Sequence, residues 1–481
     1  MNKMKKNALH KAYIRTLLAT SISAVVTGTT LSGIAQASDI DIYQTARSGD
    51  ITLMFMLDIS GSMSRYNGNT SGYACDLPSR VYDRGRGRAL EQPIAGGPQY
   101  IRAWCSGSDG NKYYDRITRL KDGMMDLLYG NNAKGIARLS NDKVIGLSTL
   151  GAVDSNKIYQ NTGAVLVPAR RLDAEVGVRT QRQVLIDAIT GFDTWTNTPT
   201  ARSYVETIAY LMGTTTKPSV QYQNYFVLSN NYARCTDWSG DGNCLNWEGW
   251  YSGTDISPAY SESLLGRGVL SGYAGNYYGG VPFFSGFSIS ANNTKSGNHY
   301  IAPVSLTQTT EAQQCSGQGI YVLTDGEPNQ NSGTQTTARL ALNNPSFSCE
   351  NTSDGWDCIT KLNAALLDPS KNPKGLRFKT AVVGFGGDFN DVTSYDKNKT
   401  QAENLAALGI INSNVKRAAQ WGILGEGGWY SGNDSQDVVN SVNDFISSLS
   451  TEIPSVTTGS PTIPADALNP SVLQNNAYFP Q

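Results

Sequence analysis

The feature that most constrains this chain is an apolar run that ends abruptly at an acidic residue. Residues 51–57 read ITLMFML, and Asp58, Ser60 and Ser62 follow at alternate positions. An uninterrupted apolar run of this length indicates a buried strand. In open α/β sheets, ligands bind beyond the carboxyl ends of such strands. The run therefore predicts an α/β fold with one carboxylate and two hydroxyls at its binding edge, and oxygen groups of this kind suit Mg²⁺ or Ca²⁺.

The first 37 residues have the pattern of a secretory signal peptide. They carry five basic residues and no acidic one, followed by the weakly apolar stretch LLATSISAVV and then by Ala35-Gln36-Ala37. Small residues in an A-x-A arrangement are typical of a signal peptidase site. The alternative is a membrane anchor, for which the apolar stretch is too short and too rich in Ser and Thr. We therefore expect residues 1–37 to be removed and the remaining chain to be exported.

Export also bears on the seven cysteines, because thiols pair in an oxidising compartment. Sequence alone does not determine their connectivity. The pairs that close short loops are Cys75 with Cys105, Cys235 with Cys244 and Cys349 with Cys358, which leave Cys315 over.

Charge and histidine content argue against several classes of function. Without the signal peptide the chain has 34 basic and 40 acidic residues, with no basic stripe and no later segment long and apolar enough to cross a membrane. We therefore expect no nucleic-acid partner and no transmembrane segment. Only His299 remains after cleavage, which argues against histidine-based zinc sites and Ser-His catalysis. We predict that the protein is not an enzyme; the rival hypothesis of a metal-dependent hydrolase lacks a suitable base.

Strand-like and helix-like segments alternate along the rest of the chain, which predicts βαβ units and a mostly parallel sheet flanked by helices. Two regions interrupt this pattern, at about 64–115 and 213–316, and we interpret them as insertions into one domain that spans 38–452. The second insertion holds too many aromatic residues to be disordered. Residues 453–481 are rich in Pro, Ser and Thr and indicate a tail or linker. The predicted strands lie at 51–57, 143–151, 163–169, 319–324 and 378–386, and the predicted helices at 116–130, 180–192, 201–212, 358–368, 403–409 and 435–452.

Two further turns carry oxygen groups where regular elements meet loops. TNTPT places Thr198 and Thr200 at the start of a helix, and LTDG places Asp325 directly after a strand. In a parallel sheet these turns meet at the edge that also carries Asp58. Two carboxylates and three hydroxyls would form an incomplete octahedral site for Mg²⁺ or another divalent cation, completed by water and a ligand. The alternative is that Asp58 caps a helix and the serines cap a turn.

The three turns together resemble the loops of a von Willebrand factor A domain. DISGSM, TNTPT and YVLTDGEP occur in the order of that family's metal-ion-dependent adhesion site. The resemblance implies a Rossmann-like sheet with helices on both faces and large loop insertions. It also implies a metal held by five residues, although Thr196 stands where the family usually has glycine. Those residues are Asp58, Ser60, Ser62, Thr198 and Asp325.

A narrower resemblance points to the N-terminal half of the PilC/PilY family of type IV pilus tip-associated adhesins. The similarity is carried by DISGSM, the aromatic insertion, EGGWYSGNDSQDVVNSVNDFISSL and PADALNP. It implies an adhesin that passes through the periplasm to the cell surface or pilus, contacts minor pilus subunits and binds an acidic group on a host or surface ligand. Members of this family usually continue into a C-terminal β-propeller, so roles that belong to the propeller are in doubt here. The alternative is a non-adhesive assembly component with a structural metal site.

A second candidate metal site lies in the aromatic insertion. Residues 237–248 read DWSGDGNCLNWE, which has the spacing of an EF-hand calcium loop with Gly242 at its sixth position. The alternative is a Gly-Asp turn closed by a disulfide, because neither flank has the pattern of an amphipathic helix. The candidate Ca²⁺ ligands are Asp237, Ser239, Asp241, Asn243 and Glu248.

The signal-peptide interpretation predicts where the exported protein begins. Cleavage after Ala37 should leave Ser38 at the N-terminus, because Ala35 and Ala37 fit the small-residue pockets of signal peptidase. N-terminal sequencing of exported protein tests this. Retention of Met1, or a start well beyond residue 40, would contradict it.

Overall fold

The structure is a computed structural model of the chain, and nine ranges of it are described in full. These are residues 50–65, 73–152, 162–194, 196–217, 285–307, 316–326, 328–331, 333–350 and 352–449, and the backbone of five strands between 225 and 278 is described as well. The predicted signal peptide (1–37), the predicted tail (453–481) and most of the aromatic insertion lie outside the described residues.

Strands and helices alternate along the described chain. The strands, in chain order, are β1 (Ile51–Asp58), β2 (Asp83–Glu91), β3 (Tyr100–Gly107), β4 (Lys112–Tyr114), β5 (Val144–Leu150), β6 (Ala164–Arg171), β7 (Glu175–Val176), β8 (Arg179–Thr180), β9 (Tyr225–Leu228), β10 (Asn231–Trp238), β11 (Cys244–Ser252), β12 (Arg267–Gly268), β13 (Asn276–Tyr278), β14 (Lys295–Ser296), β15 (His299–Tyr300), β16 (Gly317–Thr324), β17 (Phe378–Phe385) and β18 (Glu426–Gly432). The α-helices are α1 (Arg116–Tyr129), α2 (Gln181–Thr190), α3 (Thr200–Met212), α4 (Thr334–Ala341), α5 (Trp356–Leu367), α6 (Gln401–Ala407), α7 (Asn414–Leu424) and α8 (Ser435–Leu449).

Six of the strands form one central sheet in the order β18-β17-β16-β1-β5-β6. All neighbouring pairs run parallel except β5 and β6, which are antiparallel. Every residue of β1 is buried, which explains why six of its first seven residues are apolar. The prediction of a mixed α/β fold with a central, mostly parallel sheet is therefore confirmed.

Helices cover both faces of this sheet, because side chains of β1 point alternately to opposite sides. Met54 and Met56 belong to the core shared with α3, α4, α5 and α7, whereas Leu53 and Phe55 belong to the core shared with α1, α2 and α8. Helix α8 packs closely on α1 at Gly123, where a Cβ atom would lie 2.7 Å from the Cβ of Val438. The five longer helices predicted from the sequence are confirmed to within two or three residues.

The region at 64–115 contains regular structure that its sequence does not indicate. Strands β2, β3 and β4 form a separate antiparallel sheet there. The sequence of β2 alternates arginine with glycine, DRGRGRALE, so it lacks the apolar alternation that marks a half-buried strand. Helices α4 and α7 and the glycine-rich edge strand β18 are likewise present without having been predicted.

Two of the three expected disulfides are confirmed, Cys75–Cys105 and Cys349–Cys358. The first disulfide links the segment around Cys75 to β3. The side chains of Cys235, Cys244 and Cys315 lie outside the described residues. In the part of the chain that the structure describes, no helix is long and apolar enough to span a membrane.

A buried carboxylate on α3 joins two separate segments of the aromatic insertion. Glu206 accepts hydrogen bonds from the Thr216 hydroxyl at 2.8 and 2.9 Å and from the Gly286 N–H at 3.0 Å. The Tyr300 hydroxyl also donates to it. Burial raises the pKa of Glu206 to about 7, against the opposing effects of these hydrogen bonds and of the Arg202 charge. Glu206 therefore holds the segment before residue 217 and the segment after residue 285 against the same helix.

This raised pKa predicts a pH dependence of stability. In the unfolded chain a glutamate ionises near pH 4.5, so the contribution of Glu206 is fully present below that pH and is lost as the pH rises through about 7. The free energy of unfolding should fall over this range by up to about 3 kcal/mol more in the wild type than in Glu206→Gln. Urea unfolding at several pH values measures the difference, with exposed Glu175→Gln as the control. Parallel pH profiles for the wild type and Glu206→Gln would contradict the assignment.

Candidate metal centre

The centre is built around Asp58, the last residue of β1. Its side chain is fully buried, and one carboxylate oxygen accepts a hydrogen bond from the Ser60 N–H at 2.8 Å. The other accepts from the Thr324 hydroxyl at 3.2 Å and from the Asp325 N–H at 3.3 Å. These hydrogen-bond donors are all neutral, and burial raises the pKa of Asp58 despite them. A charged carboxylate in this position is costly unless a cation accompanies it.

Parallel strand pairing brings the first and third loops together. β1 and β16 pair with Leu57 opposite Leu323, so the residues that follow, Asp58 and Thr324, are neighbours at the carboxyl edge. The chain after β1 then enters a single short turn, Gly61–Met63, whose Met63 side chain is buried in the core. This turn places the Ser60 and Ser62 hydroxyl oxygens 3.0 Å apart.

The second loop contacts both of the others. Ser60 forms a parallel bridge with Thr196, and the Gly61 N–H donates to the Thr196 carbonyl at 3.0 Å. Buried Thr198 receives the Asn329 N–H on its carbonyl at 2.8 Å and donates its own N–H to the Asn329 side chain at 3.1 Å. All five residues predicted to hold the metal thus belong to three loops that meet at one edge of the sheet.

The threonine at position 196 has a structural role. Its hydroxyl donates to the Ile59 carbonyl at 3.3 Å and lies 3.4 Å from the Leu150 carbonyl. These contacts join the ends of β1 and β5 to the second loop. Thr196 therefore fits its position, because its side chain contacts carbonyls at the ends of two neighbouring strands.

A buried arginine adjoins the third loop. Arg116, the first residue of α1, has a guanidinium nitrogen 3.6 Å from a carboxylate oxygen of Asp325. Two other nitrogens bind Asp76 at 3.0 and 2.7 Å, and the guanidinium lies 4.4 Å from the centre of the Tyr73 ring. Asp76 follows Cys75 of the first disulfide, so this bond fixes the chain that positions Arg116. The sequence analysis did not identify the Arg116–Asp76 pair, because no motif links positions 40 residues apart.

The set of side chains at this edge suits a hard divalent cation. Carboxylate and hydroxyl oxygens are the ligands that Mg²⁺ and Ca²⁺ prefer. Arg116 partly offsets the charge of Asp325, whereas the hydrogen-bond donors to Asp58 are neutral, so Asp58 is the stronger attraction for a cation. Within the described ranges no three His, Cys, Asp or Glu side chains cluster as a metal site would require, but the predicted set has only two carboxylates and depends on hydroxyls.

The proposed calcium loop in the insertion lies in a β-hairpin. Asp237 is in β10 and Glu248 is in β11, and the two strands are antiparallel with Trp238 opposite Cys244. Glu248 pairs with Arg234 in this register. The flanks are therefore strands, unlike the two helices of an EF-hand. The side chains of the candidate ligands in 237–248 lie outside the described residues, so this site stays a prediction.

No protein-family model, curated protein or solved structure matches this chain. The resemblance to A domains therefore stays a prediction that depends on the three loop motifs and on their meeting at one edge.

The buried contacts of Arg116 predict a large effect of its removal. Arg116→Met should lower the free energy of unfolding by about 3 kcal/mol, because Asp76 and Asp325 lose a buried cationic neighbour. Arg179→Met is the matched control, since Arg179 pairs with Asp187 on the surface and such pairs contribute less than about 1 kcal/mol. Urea denaturation gives both values. Equal losses in the two variants would show that Arg116 has no special structural role.

Proposed function

We propose that this chain is an exported binding protein of the von Willebrand factor A type, in which a divalent cation at the carboxyl edge of the sheet captures an acidic group of a ligand. The observation that carries the proposal is the position of Asp58. Its buried carboxylate, held by neutral donors, adjoins the Ser60 and Ser62 hydroxyls and the third loop with Asp325. A cation at this point would balance the buried negative charge.

The nature of the ligands explains how such a cation would bind a partner. Ser60, Ser62 and Thr198 offer neutral hydroxyls, which leave much of the charge of a divalent ion uncompensated. Mg²⁺ keeps several waters when proteins bind it, and an incoming carboxylate can replace one of them. We therefore propose Mg²⁺ as the resident ion and an acidic side chain or carboxylated group as the recognised feature.

The cellular setting is proposed from the sequence. A signal peptide pattern and two disulfides support export to an oxidising compartment. The resemblance to the N-terminal half of PilC/PilY proteins supports a role as a type IV pilus-associated adhesin at the cell surface, beside minor pilus subunits. Binding requires no turnover, so we propose no catalytic role.

The alternative function is a pilus-assembly component whose metal only stabilises the fold. One observation favours it: Ser60, Thr198 and Asp325 are each at most 4% exposed, which limits the access of a partner to the ion. Ser62 is only partly buried, so a ligand would have to approach from its side. The two functions differ in whether bound metal creates a binding site for carboxylates.

Replacement of Asp58 tests the metal centre. Mg²⁺ should increase the free energy of unfolding of the wild type by RT ln(1 + [Mg²⁺]/Kd), about 2.7 kcal/mol at a hundredfold excess over Kd, and so raise its melting temperature. Asp58→Asn keeps the size of the side chain and removes its charge, so it should melt at one temperature with or without Mg²⁺. Asp173→Asn is the control, because Asp173 is exposed and paired with Arg171.

Carboxylated and hydroxylated beads then separate adhesion from a structural role. An adhesin should bind the carboxylated beads in Mg²⁺, release them in EDTA and lose this binding in Asp58→Asn. A Mg²⁺-dependent melting shift without bead binding would support the structural alternative. If Asp58→Asn keeps both the shift and EDTA-sensitive binding, the metal lies elsewhere and the proposal fails.

A further inference from the structure

Strand β2 and the residue before it present one row of exposed side chains. Every even-numbered position is exposed and every odd-numbered position is partly buried, as expected for a strand with one solvent face. The exposed row consists of Tyr82, Arg84, Arg86, Arg88 and Leu90. We call these five residues the outer row. Within the described chain, β2 pairs only with β3 and so forms an edge of its sheet.

The opposite face of β2 accounts for the rest of its sequence. Gly87 lies against the Trp104 ring, where a Cβ atom would come within 2.4 Å of ring atoms. The two acids of the strand, Asp83 and Glu91, are at odd-numbered positions and form ion pairs with Arg65 and Arg102. Packing and ion pairing thus explain the inner face. The outer row carries three arginines and no acidic residue, and it is a short basic stripe that the sequence analysis did not recognise.

Apolar groups flank the three arginines at both ends. Leu90 is 63% exposed and lies opposite Ile101 of β3, which is 54% exposed. At the other end Tyr82 is 62% exposed, and the Arg84 guanidinium lies 5.6 Å from the centre of its ring. Arginines between exposed aliphatic and tyrosine side chains have the composition of surfaces that lie in a membrane interface.

We propose that the outer row and Ile101 dock on an anionic lipid surface. The guanidinium groups bind lipid phosphates, and Leu90 and Ile101 enter the boundary between headgroups and acyl chains. A soluble polyanion would need only the arginines and leaves the exposed Leu90–Ile101 pair unexplained. A single-stranded nucleic acid would need open aromatic faces, and the Tyr82 ring already carries the Arg84 guanidinium.

Vesicle sedimentation tests the proposal, with the chain that begins at Ser38 so that the signal sequence does not contribute. EDTA is present throughout, so the result is independent of the metal centre. The protein should sediment with vesicles of phosphatidylglycerol and phosphatidylcholine, less so at high salt, and not with phosphatidylcholine alone. Replacing Arg84, Arg86 and Arg88 together by Gln should weaken binding about 100-fold. Leu90→Ser with Ile101→Ser should weaken it at least tenfold.

Matched variants make the result decisive. Arg138→Gln, Arg171→Gln and Arg179→Gln remove the same charge from exposed positions elsewhere and should leave binding within about threefold of the wild type. Absence of binding to the anionic vesicles would overturn the proposal, as would an equal loss in this control. If the Leu90/Ile101 variant binds normally while dextran sulfate or single-stranded DNA removes the wild type from vesicles, the surface recognises a polyanion and the lipid proposal is wrong.

Discussion

The pairing of β1 with β16 is the interaction on which the rest of this structure depends. Because the two strands run parallel with Leu57 opposite Leu323, both end at the same edge and deliver Asp58 and Asp325 to adjacent loops. The apolar core on either side of β1 fixes this register, since a shift of one residue would turn its side chains to the wrong faces. Burial of the sheet thus determines where the polar chemistry lies, and the loop residues only have to supply oxygen atoms.

The same core explains how much of the fold could be predicted. β1, β16 and β17 are buried along nearly their whole length, so their apolar runs are unmistakable in the sequence. Helix α8 carries Val438, Val442 and Phe445 on one face, and this helical spacing of apolar residues allows the helix to be predicted from the sequence. Elements that are held by strand pairing or ion pairs, and not by an apolar face, have no such pattern in their sequences. Strand β18 contains Gly427 and Gly428 and is held by pairing with β17, and β2 is held by Trp104 and ion pairs.

The candidate site likewise has features that the sequence predicts and features that it does not. DISGSM and LTDG lie at the carboxyl ends of buried strands and TNTPT lies at the start of the buried helix α3, so their meeting at one edge could be predicted from a parallel sheet. The Arg116–Asp76 contact could not, because it joins the start of α1 to a loop held by the Cys75–Cys105 disulfide. Thr196 illustrates a third case. The contacts of its hydroxyl with the carbonyls of Ile59 and Leu150 form only when the three loops meet, so its role could not be predicted from its position in the sequence.

The hydrogen bonds of Glu206 have a consequence for how this domain can change over evolution. Thr216 and Gly286 bind the same carboxylate, so the two ends of the segment 217–285 are held at a single point on α3. A segment whose two ends are anchored together can vary in length and sequence without strain on the sheet that carries Asp58 and Asp325. Insertions and substitutions between residues 217 and 285 are therefore expected to leave the three loops at the edge of the sheet in place, an arrangement that separates a variable part of the protein from a constant one.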